Sequence, residues 1–169
     1  FWGVTSGGIT GSATFRPGVG VVNSYLFDRF VDVPGLDFSG ADFSAVGLWN
    51  VDATGTDFSN AVLTLSVSES DFIGASLDGA DLSTTYGWFV DFDSSSLVGV
   101  DAREADLYSS GWDDAVVIGT DFTDANLWNA SFRDAVVLWN TFDNTTCPTG
   151  VNSDANGGTC DGEWGTGEP

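Results

Sequence analysis

The chain has 169 residues, the size of one ordinary domain, and carries 25 acidic against 4 basic side chains, a net charge of −21. That balance excludes the phosphate contacts on which nucleic-acid binding depends, repels anionic lipid, and favours solubility, cations or a basic partner. Histidine, lysine and methionine are absent, which excludes Ser-His-Asp and Cys-His catalysis, and no stretch is long and apolar enough to cross a bilayer.

Residues 1–35 follow no repeat. They are rich in Gly and Val, with Phe1, Trp2, Ile9, Phe15, Phe27, Arg16 and Arg29 among them. Short β-type runs at 19–22 and 25–33, punctuated by Gly and Pro, suit a segment that caps an open end or docks on a neighbouring molecule. A chain that starts at Phe1 and lacks methionine is expected to be a processed product without its signal peptide, although a trimmed chain would look the same.

From Leu36 to Cys147 the sequence keeps a five-residue beat. Its centres are large and apolar, as in Phe38, Phe43, Leu48, Phe58, Leu63, Phe72, Leu77, Leu82, Phe92, Leu97, Leu107, Trp112, Phe122 and Phe132. Two places before each centre stands a small residue, and between them usually Asp, Asn, Ser or Thr. Between Leu63 and Phe72 one residue is missing, which predicts an irregularity near 64–68. A period of five fits neither a helix nor a strand, so a repeat architecture follows. Four pentads close one square coil, and about 23 pentads make close to six coils spanning roughly 28 Å at the spacing of neighbouring strands. No coil buries its interior alone, so stacking creates the core.

Ala80-Asp81-Leu82, Ala105-Asp106-Leu107, Thr120-Asp121-Phe122 and Ala125-Asn126-Leu127 closely resemble the repeat of the pentapeptide-repeat family. The resemblance implies an all-β fold, a right-handed quadrilateral parallel β-helix over residues 36–147. In that family the pentads encode a shape, not an activity. Some members resemble duplex DNA in width and charge and act on type II topoisomerases, which implies a DNA-mimicking modulator as an alternative role.

On such a coil the residue after each centre points outward, and positions twenty apart share a face. One face then shows Trp49, Trp88, Tyr108 and Trp128, and the opposite one Val98, Ile118 and Leu138 above Asp78. Aligned apolar stacks mark contacts. They are read as subunit interfaces, with cover by the N-terminal segment or a carbohydrate platform as alternatives. Asp81, Asp101 and Asp121 form an outward ladder, expected to be solvated and bonded to the corners.

Beyond the repeats, residues 148–169 form a turn-rich loop and an acidic tail, a cap for the last coil. Cys147 and Cys160 enclose the loop and are read as a disulfide, two free thiols being the alternative; the bond would place the protein outside a reducing cytosol. Asn152-x-Asp154-x-Asn156-Gly157 followed by Glu163 has the spacing of a calcium loop. Its first ligand is Asn instead of Asp and Cys160 interrupts it, so coincidence in a turn is the competing reading. No catalytic residue and no cofactor beyond calcium is indicated. The chain is therefore expected to be a secreted, non-enzymatic structural protein that partners copies of itself in a fibre or surface array, with no nucleic acid bound and no membrane insertion. The alternatives are the topoisomerase modulator and a calcium-dependent adhesin.

Overall fold

The structure, a computed structural model, describes residues 20–22, 25–27, 31–45 and 47–164. Phe1, Trp2, Ile9, Phe15, Arg16 and Arg29 lie outside the described residues. Within them the chain winds as a four-sided parallel β-helix without any α-helix. Strands β1 (Gly20–Val22) and β2 (Tyr25–Phe27) pair antiparallel, β2 lies parallel on β4 (Gly47–Leu48), and β3 (Val31–Asp32) lies parallel on β5 (Val51–Asp52). Farther along, β6 (Ser96–Val98), β7 (Val116–Ile118) and β8 (Val136–Leu138) form one parallel sheet in which Leu97, Val117 and Val137 are in register. Elsewhere single bridges take the place of strands, as from Asp81 to Asp101 to Asp121.

One pentad shows why these residue types recur. In Ala80-Asp81-Leu82-Ser83-Thr84, the Ala80 N–H closes a turn on the Leu77 carbonyl (2.9 Å), Asp81 donates to Ala61 of the coil below (2.9 Å), and Leu82 and Thr84 donate to Asp101 and Arg103 of the coil above (2.7 and 2.8 Å). Only the Ser83 N–H lacks a backbone acceptor, and the Asp81 carboxylate takes it at 2.9 Å. All five donors are thus satisfied, as a stacked backbone requires. The same bond joins Ser39 to Asp37, Thr54 to Asp52 and Thr123 to Asp121. The acidic ladder is therefore built into the corners. Asp78, Asp93 and Asp113, placed after their centres, serve the equivalent N–H one coil higher, on Val98, Asp113 and Arg133.

The second residue of most turns takes a positive φ, which type II turns demand and glycine supplies at Gly40, Gly79 and Gly119. Here many other residues adopt it too, including Thr84, Glu104, Phe89 and Trp139. Each costs about 1–2 kcal/mol, offset where its N–H bonds the next coil, as Glu104 does to Thr123 at 2.9 Å.

Inside, four columns of side chains run along the axis. Phe72, Phe92, Trp112 and Phe132 stack with ring centroids 5.5, 4.5 and 5.2 Å apart, and Phe122 lies 5.5 Å from Phe142. Val33 is buried in the same column as Ala53, so inward packing extends at least one pentad before Phe38. Gly87 occupies an inward place because Leu107 fills it: the Leu107 Cδ2 lies 2.6 Å from where a β-carbon would stand.

The missing residue falls between Leu63 and Val67, both buried as consecutive centres. Bridges that span this point join residues nineteen apart, as Val62 to Asp81, and those wholly below or above it residues twenty apart, as Asp42 to Val62 and Ser66 to Tyr86. The omission leaves a mark one coil higher. Thr56, Thr120 and Thr145 each donate their hydroxyl to a carbonyl of the coil below, those of Val33, Leu97 and Phe122. For Thr85 the matching carbonyl belongs to Leu63, at the start of the shortened stretch. Its Oγ1 is buried without a hydrogen-bond partner.

Candidate functional site

The outward surfaces segregate by chemistry. Two opposite sides carry the acids: Asp81, Asp101 and Asp121 on one, Asp71, Asp91, Asp93 and Asp113 on the other. Arg103 pairs with Asp101 at 2.5 Å and Arg133 with Asp113. The two sides between them hold most of the exposed apolar residues, Ile73 beside Asp71 being an exception.

The first of these is aromatic. Trp49, Trp88 and Trp128 are exposed and Tyr108 is half-buried, and the corner and preceding places add Phe89 and Tyr86, which reading the outward position alone misses. Phe89, Tyr108 and Trp128 form a chain of edge-to-face contacts, 5.7 and 5.6 Å between centroids, and Tyr86 meets Trp88 edge-on at 6.4 Å. Polar groups fix the Trp88 ring and its surroundings: the Trp88 indole N–H donates to Asp106 Oδ2 (2.6 Å), Asn126 Nδ2 to Asp106 Oδ1 (2.8 Å), and the Trp128 backbone N–H to Asn126 Oδ1 (3.0 Å). Asp106 thus has both oxygens engaged.

The opposite side is the outer surface of β6, β7 and β8, where Val98, Ile118 and Leu138 align as the pentads predict. Val136 and Trp139, beside Leu138, extend it, and Trp139 is 85% exposed although its φ is 57°. A bulky side chain in that conformation is an outlier. Along this side the N–H groups of Gly79, Gly99 and Gly119 donate to Val98, Ile118 and Leu138. The series stops at Trp139, whose N–H finds no acceptor among the described residues, and Val137 is only half-buried in an inward place.

Elsewhere in that last coil the inward residues Phe132, Phe142 and Cys147 are buried, although the N–H groups of Phe132, Asp134 and Phe142 also find no acceptor among the described residues. Cys147 and Cys160 form the disulfide, and both are fully buried. Cys147 donates to the Val151 carbonyl (2.8 Å), Thr149 to that of Glu163 (3.2 Å), and Asn144 to Asp154 Oδ1 (2.9 Å). Trp164, from the tail, lies over the open interior against Phe132 and Phe142, with centroids 5.2 and 5.8 Å away. Nothing in the pentad rhythm marks this plug; a lone tryptophan in a Gly-rich acidic tail is the only signal.

The residues with calcium-loop spacing take part in this cap. Asn152 Oδ1 accepts from the Asp154 N–H at the start of a 3-10 turn (Ser153–Asn156), while Asn152 Nδ2 reaches Asn144 Oδ1. Asn156 Nδ2 donates to the carbonyls of Thr159 and Asp161, and the Glu163 carboxylate accepts from the Thr149 hydroxyl. Among the described residues no group of three or more His, Cys, Asp or Glu could hold a metal ion.

The family model for pentapeptide repeats matches residues 29–60 and 112–139, in eight copies. The chain carries pentapeptide repeats. Its fold is similar to that of HetL, a pentapeptide-repeat protein involved in heterocyst differentiation regulation in the cyanobacterium Nostoc, with 21% identity and a TM-score of 0.54 over 78% of this chain. The match spans 59% of the length of HetL. Rfr23 from the cyanobacterium Cyanothece matches at 14% identity and TM-score 0.46, over 69% of this chain and 86% of its own. QnrB1, a plasmid-mediated fluoroquinolone resistance protein, matches at 23% and 0.34, over 68% of this chain and 58% of its own. No curated protein shows significant sequence similarity to the chain.

Proposed function

We propose that this chain is an exported, non-enzymatic structural protein whose solenoids join end to end in a fibre or surface array. The observation that carries this reading is the uneven cap: the inward residues Phe132, Phe142 and Cys147 of the last coil are buried, while Val137 is only half-buried and β8 keeps an open edge flanked by exposed Val136, Leu138 and Trp139. Strand edges with free N–H groups and apolar neighbours pair with another chain. At the other end β1 is the outermost described strand. Contact between two unlike ends does not close on itself and so propagates. The end contact is the part of the assembly that the geometry supports best, because it supplies both backbone donors and apolar cover. The Cys147–Cys160 disulfide supports export, since cytosolic thiols keep such pairs reduced.

With −21 charges per copy, assembly is expected to strengthen with ionic strength. Electron microscopy and sedimentation velocity test the reading. Wild-type protein should form filaments on adding salt, and the double variant Val136→Lys/Leu138→Lys should stay monomeric with an unchanged circular dichroism spectrum. A wild-type monomer at every concentration and salt level removes the proposal.

A further inference from the structure

The aromatic side, like the opposite one, is almost free of charge and repeats by translation, and it differs in presenting aromatic rings beside polar side chains. On a chain with 25 acidic residues, its outward places hold aromatic rings, Ser, Asn and Thr. The acids among them are Glu69, at a corner, and Asp106, whose oxygens are taken by Trp88 and Asn126. The tryptophans recur every second coil: Trp49, then Trp88 with Ser68 between, then Trp128 with Tyr108 between. Two coils are about 10 Å at the strand spacing, close to the length of a disaccharide in an extended chain.

We propose that this side binds a neutral, extended, β-linked polysaccharide. Such a polymer repeats by translation, as the coils do, and its pyranose rings present flat C–H surfaces that stack on aromatic faces. Its hydroxyl groups match the polar groups between the rings: Asn129 Nδ2 holds Ser109 Oγ at 2.8 Å, leaving the Asn129 carbonyl oxygen to accept. Charge selects the polymer, because an anionic glycan approaches against the field of the whole chain. The rings are fixed before binding, by the Trp88–Asp106 bond and the edge-to-face chain from Phe89 to Trp128, so little side-chain freedom is lost on contact. The positive φ of Phe89, 55°, sets its ring at the corner against Tyr108.

Co-sedimentation with microcrystalline cellulose and chitin, and affinity electrophoresis in xylan and mixed-linkage β-glucan, test the proposal on the intact chain. At least one of these probes should retain the wild type, and Trp88→Ala/Trp128→Ala should weaken retention about tenfold or more. Ile73→Ala, at an exposed position beside Asp71 and away from the aromatic side, should bind as wild type. Both positions are exposed, and a melting curve checks that the double variant is folded. The proposal is overturned by wild-type protein that none of the four probes retains, or by equal retention of the double variant. Retention only by carboxymethyl cellulose overturns it as well. So does a double variant whose sole effect is to turn a wild-type dimer into a monomer, since the face would then be a contact between copies.

Discussion

The Trp164 indole lies 5.2 Å from the ring of Phe132 and takes the next place in the column that rises through Phe72, Phe92 and Trp112. The tail thus completes the core, with a residue thirty-two positions from its neighbour. Trp164→Ala removes a buried ring and uncovers Phe132 and Phe142, and should destabilise the fold by about 3–5 kcal/mol. Reducing the Cys147–Cys160 bond frees the loop that carries Trp164 and should cost about 3 kcal/mol. Both changes act on one cap, so urea melts of the reduced variant should show less than the sum of the two losses. Full additivity would mean that the plug and the disulfide work independently.

Thr85 offers the opposite kind of test. Its buried hydroxyl has lost the carbonyl that Thr56, Thr120 and Thr145 use. Thr85→Val keeps the shape and removes an unpaired polar atom, and should raise stability by about 1 kcal/mol. Thr120→Val, which breaks a 2.9 Å bond to Leu97, should lower it. If both substitutions destabilise equally in chemical denaturation, the shortened pentad leaves no cost behind.

The acidic side that carries Asp71 and Asp93 predicts a pH dependence. Burial, and then the charges of Asp91 and Asp52, hold Asp71 above the ordinary carboxylate range; burial does the same for Asp93, with Asp91 and Asp113 adding to it. A raised carboxyl binds its proton more tightly folded than unfolded, so stability falls as pH rises through its folded pKa and is regained on acidification. Asp101 has the reverse sign: its hydrogen bond with Arg103 holds it low, as the Ser44 hydroxyl does for Asp42. Their contribution is present at neutral pH and lost as pH falls through those lowered values. The melting temperature should therefore rise from pH 7 to a maximum in mild acid and drop below it. Asp71→Asn/Asp93→Asn should remove the rise. A monotonic fall from pH 7 in the wild type would contradict the assignment.

The repeating part of the molecule is legible because each pentad obeys a local rule: a centre that packs, a small residue where the turn closes, and an Asp for the one N–H that the coils leave unbonded. Phe72, Phe92, Trp112 and Phe132 could be placed in one column by counting, and the lost residue between Leu63 and Val67 by miscounting. Counting also aligned Trp88, Tyr108 and Trp128. It missed Phe89 and Trp139, because corner places normally call for Gly or Asn and nothing local asks for a ring there. It missed Trp164 for a different reason. The tail has no period, and its place over Phe132 depends on the route of a loop fixed by Cys160 and Glu163. Asn152 and Asp154 likewise take a partner from the last coil, Asn144, and Glu163 reaches across the loop to Thr149, which no ligand spacing reveals.

Trp139 separates folding from association. Its ring stands in solvent beside the β8 edge, and its backbone holds a conformation that costs a non-glycine residue about 1–2 kcal/mol. Because the coil stack ends there, no bond from its N–H to a further coil offsets that cost among the described residues, unlike at Glu104 or Thr84. Trp139→Asn should relieve the strain, since Asn accepts this region of φ, and raise the stability of the monomer by about 1 kcal/mol. For a chain of this size that is a melting-temperature increase of about 2–4 °C. The same substitution removes apolar cover from the edge that the end contact uses, so filament mass at equal protein concentration should fall. A variant that is more stable and still assembles like the wild type would place the end contact elsewhere. One that melts lower would show that the indole is held by contacts within its own chain.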